Sequence, residues 1–255
     1  MTEPTDRKVI DLKGLKVACQ ECSLRDLCLP VGMSVQDIDR LDHIIRRKRP
    51  LHRGDYLYRE GDELHSLYAV RSGSVKSFSV SEEGEEQVLG FHLPGELVGL
   101  DAIHDSTHHC STIALETTSV CEIPFDALEE LAQEIPGLQH QLFRLMSREL
   151  QNDEHFMMVL GKKSSEEKLS NFLVSLSQRF SSRGFSGTEF MLSMSRNDIA
   201  NYLGLAVETI SRLFTRFQNN GLIEVDRKFI TIRDLEGLRR LAGPQCGGHM
   251  GAHRG

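Results

Sequence analysis

The chain has 255 residues, 39% hydrophobic and 26% charged, enough for one large domain or two modest ones with real cores. No apolar run approaches the roughly 20 residues that span a bilayer, and MTEPTDRKVIDLKGLK lacks the apolar centre of a secretory signal; a cytoplasmic protein is expected. The net charge of −7 conceals an asymmetry, since residues 1–160 carry 16 Lys+Arg against 28 Asp+Glu and residues 161–255 carry 14 against 9, which points to a polyanionic partner for the C-terminal part alone.

Residues 1–33 form the first segment and hold CQECSLRDLC (19–28), three cysteines spaced C-x2-C-x5-C. In a reducing compartment such a set suggests metal ligands or catalysis before a disulfide framework. SVQDIDRLDHIIRRKRP (34–50) predicts a helix capped by Ser34, with Val35, Ile38, Leu41 and Ile45 on its apolar side and Pro50 as its stop. From about 51 to 124 the chain breaks into YLY, SLYAV, SVKSFSV, EEQVLGFHL, CSTIAL and SVCEIP, separated by Gly-containing turns. Short strands with such turns predict a β sandwich or barrel. FDALEELAQEI then forms a short helix after Pro124.

A long helix is expected from 137 to about 161. Its Phe143, Met146, Leu150, Asp153, Met157 and Leu160 are spaced 3, 4, 3, 4, 3, the seam of a two-stranded coiled coil with one carboxylate set in it. In a symmetric parallel homodimer the two Asp153 side chains would meet and oppose association. The competing reading packs the stripe on the chain's own β unit and leaves Asp153 in water.

Residues 162–242 are mainly helical, and MSRNDIANYLGLAVETISRLFTRFQNNGLIEV (194–225) has the pattern of a helix-turn-helix. Ser195 caps a helix with Ile199, Ala200 and Leu203; Gly204 supplies the tight turn; Val207, Ile210, Leu213, Phe214 and Phe217 pack the second helix. At the start of that helix, Glu208, Thr209, Ser211 and Arg212 carry the chemistry that reads base edges of double-stranded DNA. LIEVDRKFITI predicts a β-hairpin wing whose tip, Asp226-Arg227-Lys228, offers cations to phosphate. The tail GPQCGGHMGAHRG (243–255) is expected to be disordered.

The order of β-roll (34–136), dimerisation helix (137–161) and winged helix-turn-helix (162–242) resembles the cyclic-AMP receptor protein superfamily, an α+β class of bacterial transcription regulators. CQECSLRDLC, RSGSVKSF, GFHLPGELVGLDAI and VETISRLFTRFQ resemble its fumarate-and-nitrate-reduction branch, the oxygen-sensing anaerobic regulators. The resemblance covers residues 10–242 and implies a regulator rather than an enzyme. In the cyclic-nucleotide readers of this superfamily, a Glu after the cassette Gly holds the ribose, and an Arg-Ser pair ten residues on holds the phosphate. The matching positions here are Gly99-Leu100 and Cys110-Ser111. Leucine cannot bond ribose hydroxyls and a thiol cannot grip phosphate as arginine does, so no cyclic nucleotide is expected.

Thiolate sulfur suits zinc and iron–sulfur clusters alike, and a [4Fe–4S] cluster takes four thiolates. Cys19, Cys22 and Cys28 supply three; Cys110, Cys121 and Cys246 are candidates for the fourth. The resemblance implies a [4Fe–4S] cluster on Cys19, Cys22, Cys28 and Cys121. It further implies that the intact cluster supports the dimer and that oxygen loosens it. Glu208, Ser211 and Arg212 would then contact a TTGAT-N4-ATCAA palindrome, with Val207 where cyclic-AMP receptors carry an arginine. By the same resemblance, the acidic turn Ser81, Glu82, Glu83, Gly84, Glu85 and Glu86 faces RNA polymerase; a solvated hairpin tip is the bland alternative. His104, His108, His109 and Cys110 form a second nominal metal set, although polar loops collect histidines readily. The competing function is a cyclic-nucleotide-type regulator with structural zinc. An iron–sulfur electron carrier or enzyme would need paired acid/base groups in a substrate pocket, and no such pattern stands out.

Overall fold

The computed structural model describes residues 18–243, so Cys246, His249 and His253 lie outside the described residues. A 3-10 turn at Cys19–Glu21 leads to helix α1, Val35–Ile44, whose Ser34 cap accepts the Asp37 N–H. Ile38 and Leu41 face the core, but Val35 is exposed and Ile45 has already turned extended. The apolar side of α1 is thus shorter than its sequence suggests, because the chain must straighten to enter the sheet.

Two four-stranded antiparallel sheets form the β-roll. One has the order β1-β8-β3-β6 (Arg46–Arg47, Ser119–Pro124, Ser66–Ser72, Leu97–Val98), the other β2-β7-β4-β5 (Tyr56–Tyr58, Ser111–Ala114, Val75–Val80, Glu86–His92). All six strand-like runs are strands, while β1 and β6 have two residues each, too few to show an alternation. The tight β3–β4 turn requires Gly73: its φ is +76°, and a Cβ there would meet Thr117 O and Thr118 Oγ1 at 2.5 Å.

Helix α2, Phe125–Glu134, precedes the long α3, Pro136–Lys162, which carries its proline in the first turn, where the missing N–H costs nothing. Leu138, Gln141 and Leu145 turn inward from α3. Leu138 and Leu145 join Leu29, Leu41, Leu67, Ile123 and Leu128 in the core beneath the β-roll. The other side of α3 leaves Phe143, Met146, Leu150, Met157 and Met158 exposed.

The C-terminal unit comprises α4 (Ser165–Ser182), β9 (Glu189–Met191), α5 (Arg196–Tyr202), α6 (Val207–Asn219), β10 (Ile223–Asp226), β11 (Phe229–Ile232) and α7 (Leu235–Ala242). Ser164 with Glu167, and Ser195 with Asp198, close reciprocal capping boxes on α4 and α5. The wing is a three-stranded sheet, β10-β11-β9, not the expected hairpin alone, because Phe190 of β9 pairs with Ile230 and buries with it.

The two units pack directly on one another. Val88, Phe91, Leu93 and Leu115 of the β-roll share a core with Phe172, Leu203 and Phe217. The Lys76 ammonium, with only 8% of its side chain exposed, meets Glu86 at 2.5 Å and Asp198 at 2.8 Å. Asn201 accepts the Val88 N–H at 2.6 Å. Glu96 is clamped by Arg179 and Arg183 at 2.6 and 2.5 Å, and those guanidinium groups outweigh burial to pull its carboxyl down to about 2. The helix-turn-helix is thereby set at one orientation to the β-roll.

Candidate cluster cavity and nucleic-acid interface

A run of tight turns shapes the cysteine loop. Cys22 N–H donates to Cys19 O, Arg25 N–H to Cys22 O, and Cys28 N–H to Leu24 O. Two other bonds fix its ends on different helices. The Cys19 N–H donates to Asp42 Oδ1 of α1 at 3.0 Å, and the Gln141 amide of α3 donates to the Cys28 carbonyl at 3.2 Å.

Cys121 enters from β8, between β1 and β3. Cys19, Cys22, Cys28 and Cys121 all line one apolar cavity, walled by Leu24, Leu29, Leu41, Ile45, Ala69 and Ile123, with Arg25 and Arg71 also at its edge. The sulfurs surround this space rather than meeting at a point: among the described residues no three His, Cys, Asp or Glu side chains close on a single ion.

Burial dominates the thiol chemistry. It pushes the Cys28 thiol up to about 12 and raises Cys19, where Asp42 adds to the effect. Cys121 is also raised by burial, against the opposing pull of Arg47 and Arg71. Without a bound cation these three thiols keep their protons near neutral pH, so a metal group must displace them on binding.

Cys110 is placed elsewhere. It is 6% exposed, with its sulfur 3.5 Å from Asp101 Oδ2. The nominal histidine set does not assemble either. His108 stacks on Tyr58 with centroids 3.7 Å apart and faces Asp101, whereas His109 pairs with Asp105 at 2.9 Å. Leu100, which follows Gly99, packs on the apolar core.

On α6, Ile210, Leu213, Phe214 and Phe217 are buried, and Glu208, Ser211 and Arg212 are exposed. Thr209 is half-buried, which leaves it on the flank of the exposed face. The Ser211 hydroxyl donates to Val207 O at 2.9 Å, so base contact by it means sharing that bond. Gly204 sits at φ +60° between α5 and α6, as the tight turn demands.

Two charged groups depart from expectation. Lys228 of the wing tip donates to Ser193 O at 3.0 Å, which leaves Arg227 as the exposed cation there. Glu86, exposed like the rest of the acidic turn, is engaged by the Lys76 ion pair, so the exposed acids of that turn outside this pair are Glu82, Glu83 and Glu85. Sequence reading missed Arg196, whose guanidinium lies 3.2 Å from the Phe214 ring centroid and braces α5 against α6. An arginine at the first position of a capped helix was the available signal.

Along α3, Phe143, Met146, Leu150 and Met157 stand exposed with Asp153 among them, while Leu160 is half-buried. Phe156 turns away from the stripe and stacks on Tyr202, centroids 4.1 Å apart. Burial raises the Asp153 carboxyl, the direction expected of an acid surrounded by apolar neighbours.

Residues 48–134 match the cyclic nucleotide-binding domain family and residues 167–241 the Crp-like helix-turn-helix domain family. The chain is 55% identical to the transcriptional activator protein anr of Pseudomonas aeruginosa, over 94% of this chain and 99% of that protein. It is 50% identical to the fumarate and nitrate reduction regulatory protein of Escherichia coli, over 90% of this chain and 92% of that one. The chain belongs to the FNR/Anr family of the cyclic-AMP receptor protein superfamily. FixK2 from Bradyrhizobium japonicum shares the fold at a TM-score of 0.73 and 27% identity, covering 79% of this chain and 98% of that one. As a family member the chain is a DNA-binding transcription regulator and not an enzyme. Among its described residues no helix is long and apolar enough to cross a membrane.

Proposed function

We propose that this regulator senses oxygen through a [4Fe–4S] cluster held by Cys19, Cys22, Cys28 and Cys121, and that dimerisation along α3 couples this to a TTGAT-N4-ATCAA-like palindrome. The observation that carries the reading is the cavity itself: four thiols from two distant segments, residues 19–28 and β8, line one apolar space. Four thiolates can hold structural zinc or a [4Fe–4S] cluster, and the resemblance to the oxygen-sensing branch favours the cluster. When bound, the cluster would supply an oxygen-labile cross-link between the loop and β8.

The chain's own residues carry the rest. Cys28 and Leu29 sit against the N-terminal half of α3, through Gln141 and the core around Leu138 and Leu145. Fixing the loop therefore steadies the helix that presents Phe143, Met146, Leu150, Met157 and Leu160. Burying that stripe in a homodimer offsets the repulsion of two Asp153 carboxylates. Two α6 helices would then reach successive major grooves, with Glu208, Ser211 and Arg212 at base edges. The acidic turn Ser81–Glu86 is proposed as the RNA polymerase contact, carried by its exposed Glu82, Glu83 and Glu85.

Anaerobic purification with an absorption spectrum, an iron and sulfide count, and sizing before and after air tests this reading. The expected result is a coloured protein with iron and inorganic sulfide in equal amounts, dimeric until air is admitted. A colourless zinc protein whose dimerisation ignores oxygen would refute it.

A further inference from the structure

We propose that Arg47, held in place by Asp42, donates its Nε–H to the Cys121 thiolate in the loaded protein and so slows the loss of the bound group to oxygen. The assignment rests on the cluster reading above. Arg47 of β1 lies directly opposite Cys121 of β8 in the antiparallel register, and opposed side chains share a face at about 5 Å. The next residue, Lys48, serves a different partner: its ammonium reaches Glu122 at 2.8 Å.

The Arg47 side chain is 18% exposed, and its terminal nitrogen grips Asp42 Oδ1. That same oxygen accepts the Cys19 N–H. A continuous polar bridge therefore runs from the Cys19 backbone through Asp42 and Arg47 to the strand position of Cys121, tying together the two segments that supply the ligands. Arg47 Nε is buried and has no hydrogen-bond partner among the described residues. An unmet buried donor is costly, and the residue directly opposite it in the register is Cys121. A cysteine that ligates metal does so as the thiolate, a charged acceptor that the neutral thiol is not. The orphan N–H is thus satisfied when Cys121 becomes a ligand.

A cation bonded to a ligand sulfur favours the electron-rich state of the group, because hydrogen bonds to sulfur and local charge tune iron–sulfur potentials. Removing it eases electron loss. The test is anaerobic reconstitution with iron and sulfide, followed by the decay of visible absorption in air and a midpoint potential. Arg47→Leu should decay about tenfold faster than the parent, in line with the usual effect of losing a partner behind a metal ligand, and have a lower potential. Arg47→Lys retains the charge but has no Nε–H and should fall between; Lys48→Met should match the parent. Should Arg47→Leu fail to fold, Arg47→Lys carries the test. Parent-like decay and potential in the Arg47 variants overturn this assignment alone. A parent that takes up no iron or sulfide overturns the cluster reading and the assignment with it.

Discussion

The cysteine loop and the C-terminal unit are held in opposite ways. Phe172, Leu173, Ile199, Ile210, Phe217, Ile230 and Leu238 form a dry core, and two capping boxes close helix ends there. Of residues 19–28 only Leu24 is buried, and the loop's polar tethers are few: Cys19 to Asp42, Gln20 to Asp39 and to the Val35 carbonyl, and Gln141 to Cys28. The DNA-reading end is thus ordered by a packed core that it shares with the β-roll, while the cysteine loop leaves much of its order to whatever binds the thiols. A sensor benefits from this division, because a ligand can shift only an equilibrium that the chain has left poised.

The largest expected effect tests the division itself. Phe217 is fully buried on the inner face of α6, and Phe217→Ala should cost about 3–5 kcal/mol. Cys22→Ser, in the half-buried loop of the cluster-free protein, should stay within about 0.5 kcal/mol of the parent. Urea unfolding of both variants decides this, and comparable losses would erase the contrast. A middle-sized effect is expected at Asp153, where removing a like-charge meeting worth about 1 kcal/mol in a wet seam should tighten dimerisation several-fold in Asp153→Ala. Because the Asp153 carboxyl is raised, the repulsion is lost as pH falls through that raised range. The parent should therefore dimerise better at the acid end, and Asp153→Ala should lack that component. Sedimentation equilibrium across pH reads both, and an unchanged equilibrium at every pH would remove Asp153 from the seam.

Most of the C-terminal unit was legible in the sequence because its signals are local. Ser195, Gly204 and the spacing of Ile210, Leu213, Phe214 and Phe217 each specify structure within a few residues. The candidate cluster site was legible only by halves. Cys19, Cys22 and Cys28 announce themselves by spacing, but Cys121 joins them only through the seating of α1 and the register of β8. Asp42 and Arg47 are hidden in a charged run, HIIRRKRP, that alone suggests a solvated surface. Lys228 misled for the related reason that a charged side chain bonded back to a distant segment looks, in sequence, like any free one.

Gln141 is where the two regimes touch, and it carries the smallest effect. It is polar at a core position of α3, between Leu138 and Leu145, and 6% exposed. Its bond to the Cys28 carbonyl spans the gap between the loop and α3. One neutral hydrogen bond is worth about 1 kcal/mol, so Gln141→Leu, which keeps the volume and the apolar contact, should barely alter unfolding. What it should alter is coupling. In Gln141→Leu the anaerobic protein would still take up iron and sulfide, but the dimerisation difference between anaerobic and air-exposed samples would shrink by about fivefold, the equivalent of that bond. A variant with the parent's full oxygen-dependent difference would place the coupling in the apolar contact of Leu29 with α3 instead. Uptake lost together with the difference would make Gln141 a support of the loop itself, and the contrast between a densely packed C-terminal unit and a tethered cysteine loop would be sharper still.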